Sequence, residues 1–199
     1  FDGVFCQGMV CHETYKDNKG SWLFPEEIIK KGKLAYNKKT GRPVTIGRSE
    51  KMSKSKKNVV DPVYIIERYG ADVARLFMIS DSPPERDLEW SASGVDGASR
   101  YLSKVWRFFQ MTNIPDLNEE IPLKFSVESL NLRKATHNAI AQATASLESF
   151  KYNVVVAHIR ELSNLFMSDE YKKLNNWALR ESMESWVIMA APIIPHISE

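Results

Sequence analysis

The 199-residue chain is long enough for one or two domains with a hydrophobic core. Its composition, 43% hydrophobic and 26% charged, is that of a globular protein and excludes a disordered chain. The formal net charge is only +2, so a nucleic-acid surface requires a local cluster of basic residues. No apolar run reaches membrane-spanning length, and the first residues do not have the pattern of a signal peptide.

The two cysteines are too few for a disulfide framework. Cys6, Cys11 and His12 provide two thiols and one imidazole, which fall short of a closed zinc set, so we predict no metal site. Unbonded thiols fit a reducing cytoplasm. The chain starts without Met at Phe1 and stops just after a helix start at Pro195, so we expect it to be a piece of a longer protein.

The first 47 residues predict a small β region. Residues 4–10 are apolar and predict a buried strand or the turn after one, where Gly8 permits close backbone approach. Pro25 is expected to open one helical turn, which Gly32 closes. Residues 33–36 and 43–46 flank a turn-forming segment with Gly41, which predicts a β-hairpin.

A basic stretch follows at 48–58. It carries five positive residues and one negative residue, a net charge of +4, and lysines alternate with serines from Lys51 to Lys56. Such a stretch is too small and flexible to form a core. It is suited to wrapping a polyphosphate with ammonium groups, hydroxyls and backbone N–H groups. On charge alone, a solvated basic loop or a nonspecific nucleic-acid patch is the simpler interpretation.

Helical patterns dominate the rest of the chain. Asp61 and Pro62 begin a short helix with Ile65, Ile66 and Tyr69 on its apolar face, and Gly70 ends it. A second short helix is predicted at 72–80, followed by a loop at 82–87 with Leu88 and Trp90 buried after it.

Four longer helices are predicted at 93–111, 126–150, 153–167 and 175–191, with a linker at 113–125, and together they form an antiparallel bundle. The apolar stripes predicted to face the core are Val95, Ala98, Leu102, Val105 and Phe109; Leu130, His137, Ile140 and Leu147; Val155, Ile159, Leu162 and Phe166; and Leu179, Met183, Trp186 and Ala190. The aromatic residues Trp106, Phe108, Phe109 and Trp177 are assigned to packing, and His137 and His158 to structural roles.

Several segments resemble class I aminoacyl-tRNA synthetases. Lys-Met-Ser-Lys-Ser at 51–55, followed by Lys-x-Asn-x-x-Asp-Pro, is similar to the signature loop of that class, and 69–77 is similar to the segment that follows the loop. The segments at 6–10, 82–91 and 94–106 resemble bacterial leucyl-tRNA synthetases. The resemblance is weakest at 13–47, where the family carries variable insertions.

The resemblance implies a mostly α fold in three parts. Residues 1–47 would be the end of a Rossmann-type catalytic domain with a small β insertion. Residues 48–90 would hold the signature loop and a stem-contact region, and 91–199 would be a helical anticodon-binding-type bundle. The implied activity is ligation of leucine to tRNA(Leu) with ATP, accompanied by Mg²⁺, in a cytoplasmic monomer.

The resemblance also implies residue roles. Lys54 would reach the ATP phosphates with support from Lys51, in a loop formed by Lys51, Met52, Ser53, Lys54 and Ser55. Arg100, Lys104 and Arg107 lie on one helix face. That face is either solvated or, as the family implies, a tRNA contact in which Arg100 and Lys104 are favoured. The His-Ile-Gly-His signature that also holds ATP is absent, so this chain would carry half an ATP site and be inactive alone.

Two alternatives remain open at this point. A valyl- or isoleucyl-tRNA synthetase would share the signature loop and Tyr-Gly-Ala-Asp at 69–72, although the segments at 88–90 and 94–100 argue against it. A non-catalytic RNA-binding module would need basic residues but no signature loop.

Overall fold

A computed structural model describes residues 3–114, 120–174 and 176–199 of the chain. It is mostly helical and includes one small sheet. Across these residues the strands are β1 Val10–Lys16, β2 Trp22–Leu23, β3 Ile28–Lys31, β4 Leu34–Asn37, β5 Pro43–Lys51 and β6 Leu88–Glu89. The helices are α1 Pro62–Tyr69, α2 Ala71–Ser80, α3 Ala92–Met111, α4 Val127–Glu148, α5 Tyr152–Phe166, α6 Trp177–Ala190 and α7 Pro195–Ser198. None of the described helices is both long and apolar enough to cross a bilayer.

The chain forms two compact units. The first contains the residues up to Arg68 together with Glu85–Gly94, and the second contains Tyr69–Pro84 and Val95–Glu199. β5 runs without interruption across residue 47, where the first predicted domain ends, and the division into 1–47, 48–90 and 91–199 stays a prediction.

The first unit is built around a sheet with the order β2-β1-β5-β4-β3, in which β6 adds in parallel to β1. The predicted hairpin is confirmed, since β4 and β5 pair through Ala35 and Val44, and Gly41 has a positive φ of 66°. The side chains that share the core of this sheet are Tyr15, Leu23, Ile28, Ala35 and Val44, with Ile46 packed against them.

Two expectations for this unit need correction. The strand expected at 4–10 begins only at Val10, and Val4 and Phe5 are exposed. Pro25–Glu27 does form a 3₁₀ turn, but Gly32 does not end it, because β3 intervenes and Gly32 lies in the β3–β4 turn. The close approach at Gly8 is confirmed, since a Cβ there would collide with the carbonyl oxygen of Arg86.

The segment around α1 and β6 also differs from the prediction at two side chains. Asp61 caps α1 through a 2.9 Å hydrogen bond from the Val63 N–H, and Ile65 is buried, both as predicted. Ile66 is 49% exposed, so the apolar face of α1 is narrower than expected. Leu88 is buried beside Val10, whereas Trp90 is only partly buried.

The second unit is the predicted helical bundle, in which α4, α5 and α6 pack against one another and with α2 and α7. Aromatic residues of α3 contact α5 and α6. The predicted stripes of α5 and α6 are fully buried, and so is that of α3 except for the half-buried Phe109. Phe108 and Phe109 contact Phe166 and Trp186 at ring distances of 5.5 and 5.6 Å, as expected for packing residues. Trp106 contradicts its assignment, because 52% of it is exposed.

The stripe predicted for α4 is wrong. Leu130 is 41% exposed, and the residues that α4 buries are Ser129, Leu132, Thr136, Ala143 and Ser146. Small and hydroxyl side chains bring α4 close to α6, where the Thr136 and Ser182 hydroxyls lie 2.6 Å apart. Hydrogen bonding satisfies these buried oxygens, so polar residues can occupy the interface.

The ends of α4 and α6 are joined by a charged and aromatic cluster. Arg133 binds both carboxylate oxygens of Glu181, at 2.7 and 3.2 Å, and His137 contacts the same carboxylate at 3.2 Å. The Arg133 guanidinium lies over the rings of Phe125 and Trp177. His137, which was predicted to face the core, is instead exposed, and Trp177 packs half-buried rather than in the core. Asn175, where α6 was expected to begin, and Pro115 of the linker lie outside the described residues.

Candidate functional site

The basic stretch enters its loop from the sheet. Lys51 is the last residue of β5 and pairs with Cys11 of β1, so its backbone is held in a strand rather than in a flexible loop as predicted. The next N–H, of Met52, donates to the carbonyl of Val10 at 3.0 Å. The side chain of Lys51 is exposed. It therefore projects from a fixed point at the edge of the loop.

The loop itself is compact and hydrogen-bonded. Lys54–Lys56 form one 3₁₀ turn, closed by 3.2 Å bonds from the Lys56 N–H to Ser53 and from the Lys57 N–H to Lys54. The hydroxyls of Ser53 and Ser55 lie 2.8 Å apart. Lys57 ends the turn in the left-handed region with φ 53°. The segment thus forms a tight turn in which Lys54 is exposed.

Asn58 closes the loop from inside. It is fully buried, with 0% exposure, and its Oδ1 accepts the Ser53 N–H at 2.8 Å. Its Nδ2 lies 3.1 Å from the His12 carbonyl, 3.0 Å from that of Glu50 and 3.3 Å from that of Lys51. One side chain therefore connects the strand β1, the end of β5 and the start of the 3₁₀ turn.

The four lysines of the loop have different surroundings. Lys56 forms an ion pair with Glu50, and the Lys57 ammonium lies 5.2 Å from the ring centroid of Phe24. Lys51 and Lys54 are exposed, and neither forms an ion pair within the described part of the chain. Two of the positive charges are thus engaged by the protein, and two remain available to an anion.

Glu50 is the acidic residue of this stretch. The hydrogen bond from Lys56 lowers the pKa of the Glu50 carboxyl, and the charges of Lys56, Arg48 and Lys16 add to the effect. Glu50 therefore stays ionised at neutral pH and holds Lys56 to the base of the loop. A carboxylate facing the other lysines would weaken an anion site, but here its charge is matched by Lys56.

The second set of predicted residues lies on α3. Arg100, Lys104 and Arg107 are all exposed along this helix, and none forms an ion pair among the described residues. They form an unneutralised basic face of the helical unit. A face of this kind suits the phosphates of a nucleic acid, which it contacts without reading sequence.

Sequence reasoning did not assign roles to Asn58, Glu50 and Phe24. Asn58 belongs to the Lys-x-Asn-x-x-Asp-Pro pattern, but the pattern does not indicate that its side chain is buried. No group of three or more His, Cys, Asp or Glu side chains within 3–114, 120–174 and 176–199 is placed to hold a metal.

Comparison with known proteins agrees with this division into loop and bundle. Residues 44–91 match the family described as tRNA synthetases class I (I, L, M and V). Residues 130–199 match the family described as anticodon-binding domain of tRNA ligase. The leucine–tRNA ligase of Paramagnetospirillum magneticum is 49% identical over 205 residues, which cover 100% of this chain and 23% of that protein. Over its whole length the chain is similar to one part of leucine–tRNA ligases.

A second relative matches the chain to a similar extent. The leucine–tRNA ligase of Rhodospirillum rubrum is 45% identical over 203 residues, covering 100% of the chain and 24% of the relative. The chain therefore spans about a quarter of the length of these relatives. The predicted family and the predicted order, a class I synthetase segment followed by an anticodon-binding helical domain, are confirmed.

Solved structures of synthetases share the fold of this chain. The ternary complex of Agrobacterium radiobacter K84 LeuRS with tRNA and LeuAMS matches with a TM-score of 0.65 and 27% identity, over 75% of this chain and 19% of that one. Mycobacterium tuberculosis methionyl-tRNA synthetase matches with a TM-score of 0.56 and 17% identity, over 72% of this chain and 33% of that one. The second match shows a common fold alone.

Proposed function

We propose that this chain supplies the phosphate-binding loop and a tRNA-binding bundle to a leucine–tRNA ligase. The whole ligase would join leucine to ATP, releasing pyrophosphate, and would then transfer the leucyl group to a terminal ribose hydroxyl of tRNA(Leu). The observation that carries the proposal is the pair of unneutralised ammonium groups, Lys51 and Lys54, on a loop whose other lysines are engaged by Glu50 and Phe24.

The first step needs positive charge where this loop provides it. When the carboxylate of leucine attacks the α-phosphate, negative charge builds up on the leaving pyrophosphate. Lys54 would meet that charge, with Lys51 beside it, because a group that binds the transition state better than the ground state accelerates the step. Met52, Ser53 and Ser55 would shape the turn, with N–H and hydroxyl groups as further donors.

The arrangement of charges supports this role. Lys51 extends from a strand, and Lys54 opens a closed 3₁₀ turn, so both ammonium groups start from fixed backbone positions. Preorganised charges need little rearrangement as the reaction proceeds. Mg²⁺ would accompany the ATP, and the cations of this chain would act alongside it.

The bundle would contact tRNA through the basic face of α3. Arg100 and Lys104 are the proposed phosphate contacts, with Arg107 flanking them, since all three are exposed and unneutralised among the described residues. The LeuRS of Agrobacterium radiobacter K84, whose fold is shared, was solved with tRNA. Contacts of this kind give affinity and orientation without base recognition.

The chain alone would not activate leucine. It has the Lys-Met-Ser-Lys-Ser loop, but the His-Ile-Gly-His sequence, which supplies the other part of the ATP site in this class, does not occur in it. We propose that the ligase acts as a monomer, so the missing part of the site would come from the same polypeptide.

The test is amino-acid-dependent exchange of pyrophosphate into ATP, with leucine, valine and isoleucine in parallel. It would be run on the intact ligase that contains this segment and on the 199-residue chain. We expect exchange with leucine only, and none from the chain alone. Exchange with valine or isoleucine would assign the chain to one of those enzymes. If the intact protein gave no exchange, the basic loop would be an RNA-binding patch.

A further inference from the structure

We propose that Asn58 is a positioning residue that holds Lys51 and Lys54 in place for the ATP phosphates. This inference rests on the function proposed above for the loop. Asn58 itself does not contact the substrate, because its side chain is fully buried. It acts through the backbone of the residues that carry the two lysines.

The hydrogen bonds of Asn58 reach both sides of the loop. On the strand side, its Nδ2 donates toward the carbonyls of Glu50 and Lys51, and across the sheet toward that of His12. On the turn side, its Oδ1 accepts the N–H of Ser53, the residue before Lys54. The four partner atoms all belong to the main chain, so a change at Asn58 moves the peptide units next to both lysines.

An asparagine is the side chain that this position requires. The site presents one N–H and three carbonyl oxygens, and a side-chain amide supplies one acceptor and two donor hydrogens. Aspartate has almost the same size and could still accept from Ser53, but it would place a negative oxygen against three carbonyls. Glutamine adds a methylene in a site without exposed surface. Alanine would leave buried polar groups without a partner.

The expected consequence is kinetic. Charges placed by rigid neighbours lose effect steeply with displacement, and a shift of about 1 Å can slow a reaction about 100-fold. A substitution that removes hydrogen bonds of Asn58 would therefore slow adenylate formation, the step in which Lys51 and Lys54 act. Transfer of leucine from preformed leucyl-adenylate to tRNA does not develop charge on the β- and γ-phosphates, so it would change little.

The experiment compares Asn58→Asp and Asn58→Ala with the unmodified intact ligase. Four quantities are measured: the kcat and the KM for ATP in leucine-dependent pyrophosphate exchange, the single-turnover rate of transfer from isolated leucyl-adenylate, and the melting temperature. The control is Thr14→Val, since Thr14 is also buried in this sheet and donates its hydroxyl to the Arg48 carbonyl at 3.1 Å. Thr14 lies outside the loop and its lysines.

We expect about a 100-fold loss in exchange for Asn58→Asp and a smaller loss for Asn58→Ala. Transfer should stay within about threefold for both, and Thr14→Val should change both steps by less than about threefold. A parallel fall of exchange and transfer, in proportion to the folded fraction, would overturn the inference and make Asn58 a stability residue. Unchanged exchange would overturn it as well.

Lys54→Ala in the same assay separates this inference from the proposed function. If Lys54→Ala abolishes exchange while Asn58→Asp does not, only the positioning role fails. If Lys54→Ala leaves exchange intact, the phosphate role of the loop fails, and the role of Asn58 fails with it.

Discussion

Asp72 accepts the backbone N–H of Ile197 at 2.7 Å, although the two residues are 125 positions apart. The same carboxylate lies 3.4 Å from the His196 N–H, and Arg75, one turn later on α2, donates to the carbonyls of Pro192 and Ile193 at 2.8 Å each. Asp72 and Arg75 thus bind the N–H and C=O groups of one segment. Within the Tyr-Gly-Ala-Asp-x-x-Arg sequence, the Asp and the Arg therefore attach residues 192–197 to α2.

The first prediction concerns the hydrogen bonds between Asp72 and the start of α7. Asp72→Ala should destabilise the attachment of α7 by about 2 kcal/mol, because it removes hydrogen bonds to a buried charged acceptor. Hydrogen exchange of the amides of 196–199 should accelerate correspondingly, by about 30-fold. Asp81→Ala, at the exposed end of α2, is the control and should leave that exchange unchanged. Equal exchange rates in both variants would contradict this role of Asp72.

The second prediction concerns the pH dependence of the sheet unit. Burial raises the pKa of Glu13, but hydrogen bonds from Lys30 and Tyr15 outweigh it, so the Glu13 pKa lies below its ordinary value of 4.5 in the folded protein. The stabilisation that ionised Glu13 gives the folded protein is therefore fully present above pH 4.5 and is lost as the pH falls through the lowered pKa. Glu13→Gln keeps an acceptor for the Tyr15 hydroxyl but removes the charge.

Melting temperatures between pH 3 and 7 test this sign. Glu13→Gln should be less stable near neutral pH by on the order of 0.5 kcal/mol, as for partly exposed ion pairs, and should approach the unmodified protein at acid pH. Glu26→Gln changes an exposed carboxylate of the same unit and is the control. A difference in melting temperature between Glu13→Gln and the unmodified protein that grows as the pH falls would contradict a lowered Glu13 pKa.

The third prediction concerns the basic face of α3. Arg100→Ala in the intact ligase should weaken tRNA binding and lower the slope of log affinity against log salt by about one, since one phosphate contact is lost. Adenylate formation should be nearly unchanged. Lys134→Ala, an exposed change on α4, should affect neither. An unchanged salt slope for Arg100→Ala, or a collapse of adenylate formation, would exclude the proposed contact.

The sequence predicted the bundle well where apolar residues alone make the core. The stripes of α5 and α6 are buried as the 3.6-residue period requires. On α4 the same reasoning selected Leu130, whereas the structure buries Thr136 against Ser182. A buried threonine whose hydroxyl contacts another helix adds nothing to the apolar period of its own helix, so the buried face could not be read from the α4 sequence alone.

The candidate site was located by its motif, but its internal arrangement was not. The repeat of lysine and serine gave no reason to separate Lys54 from Lys56. Two residues distinguish the lysines from one another. Glu50 forms an ion pair with Lys56, and Phe24, which is distant from Lys57 in sequence, has its ring 5.2 Å from the Lys57 ammonium group. The assignment of Lys51 to a flexible loop failed because pairing of β5 with β1 extends through that residue.

The most direct test of the central claim is Lys54→Ala in the intact ligase, with Lys39→Ala, an exposed change in the β4–β5 turn, as the control. Leucine-dependent pyrophosphate exchange and the Kd for leucine would be measured together. We predict that Lys54→Ala slows exchange about 100-fold to 1,000-fold while leucine binding changes less than twofold, because Lys54 acts on charge that develops in the transition state. Equal losses in exchange and in leucine binding, or exchange equal to that of Lys39→Ala, would contradict the account.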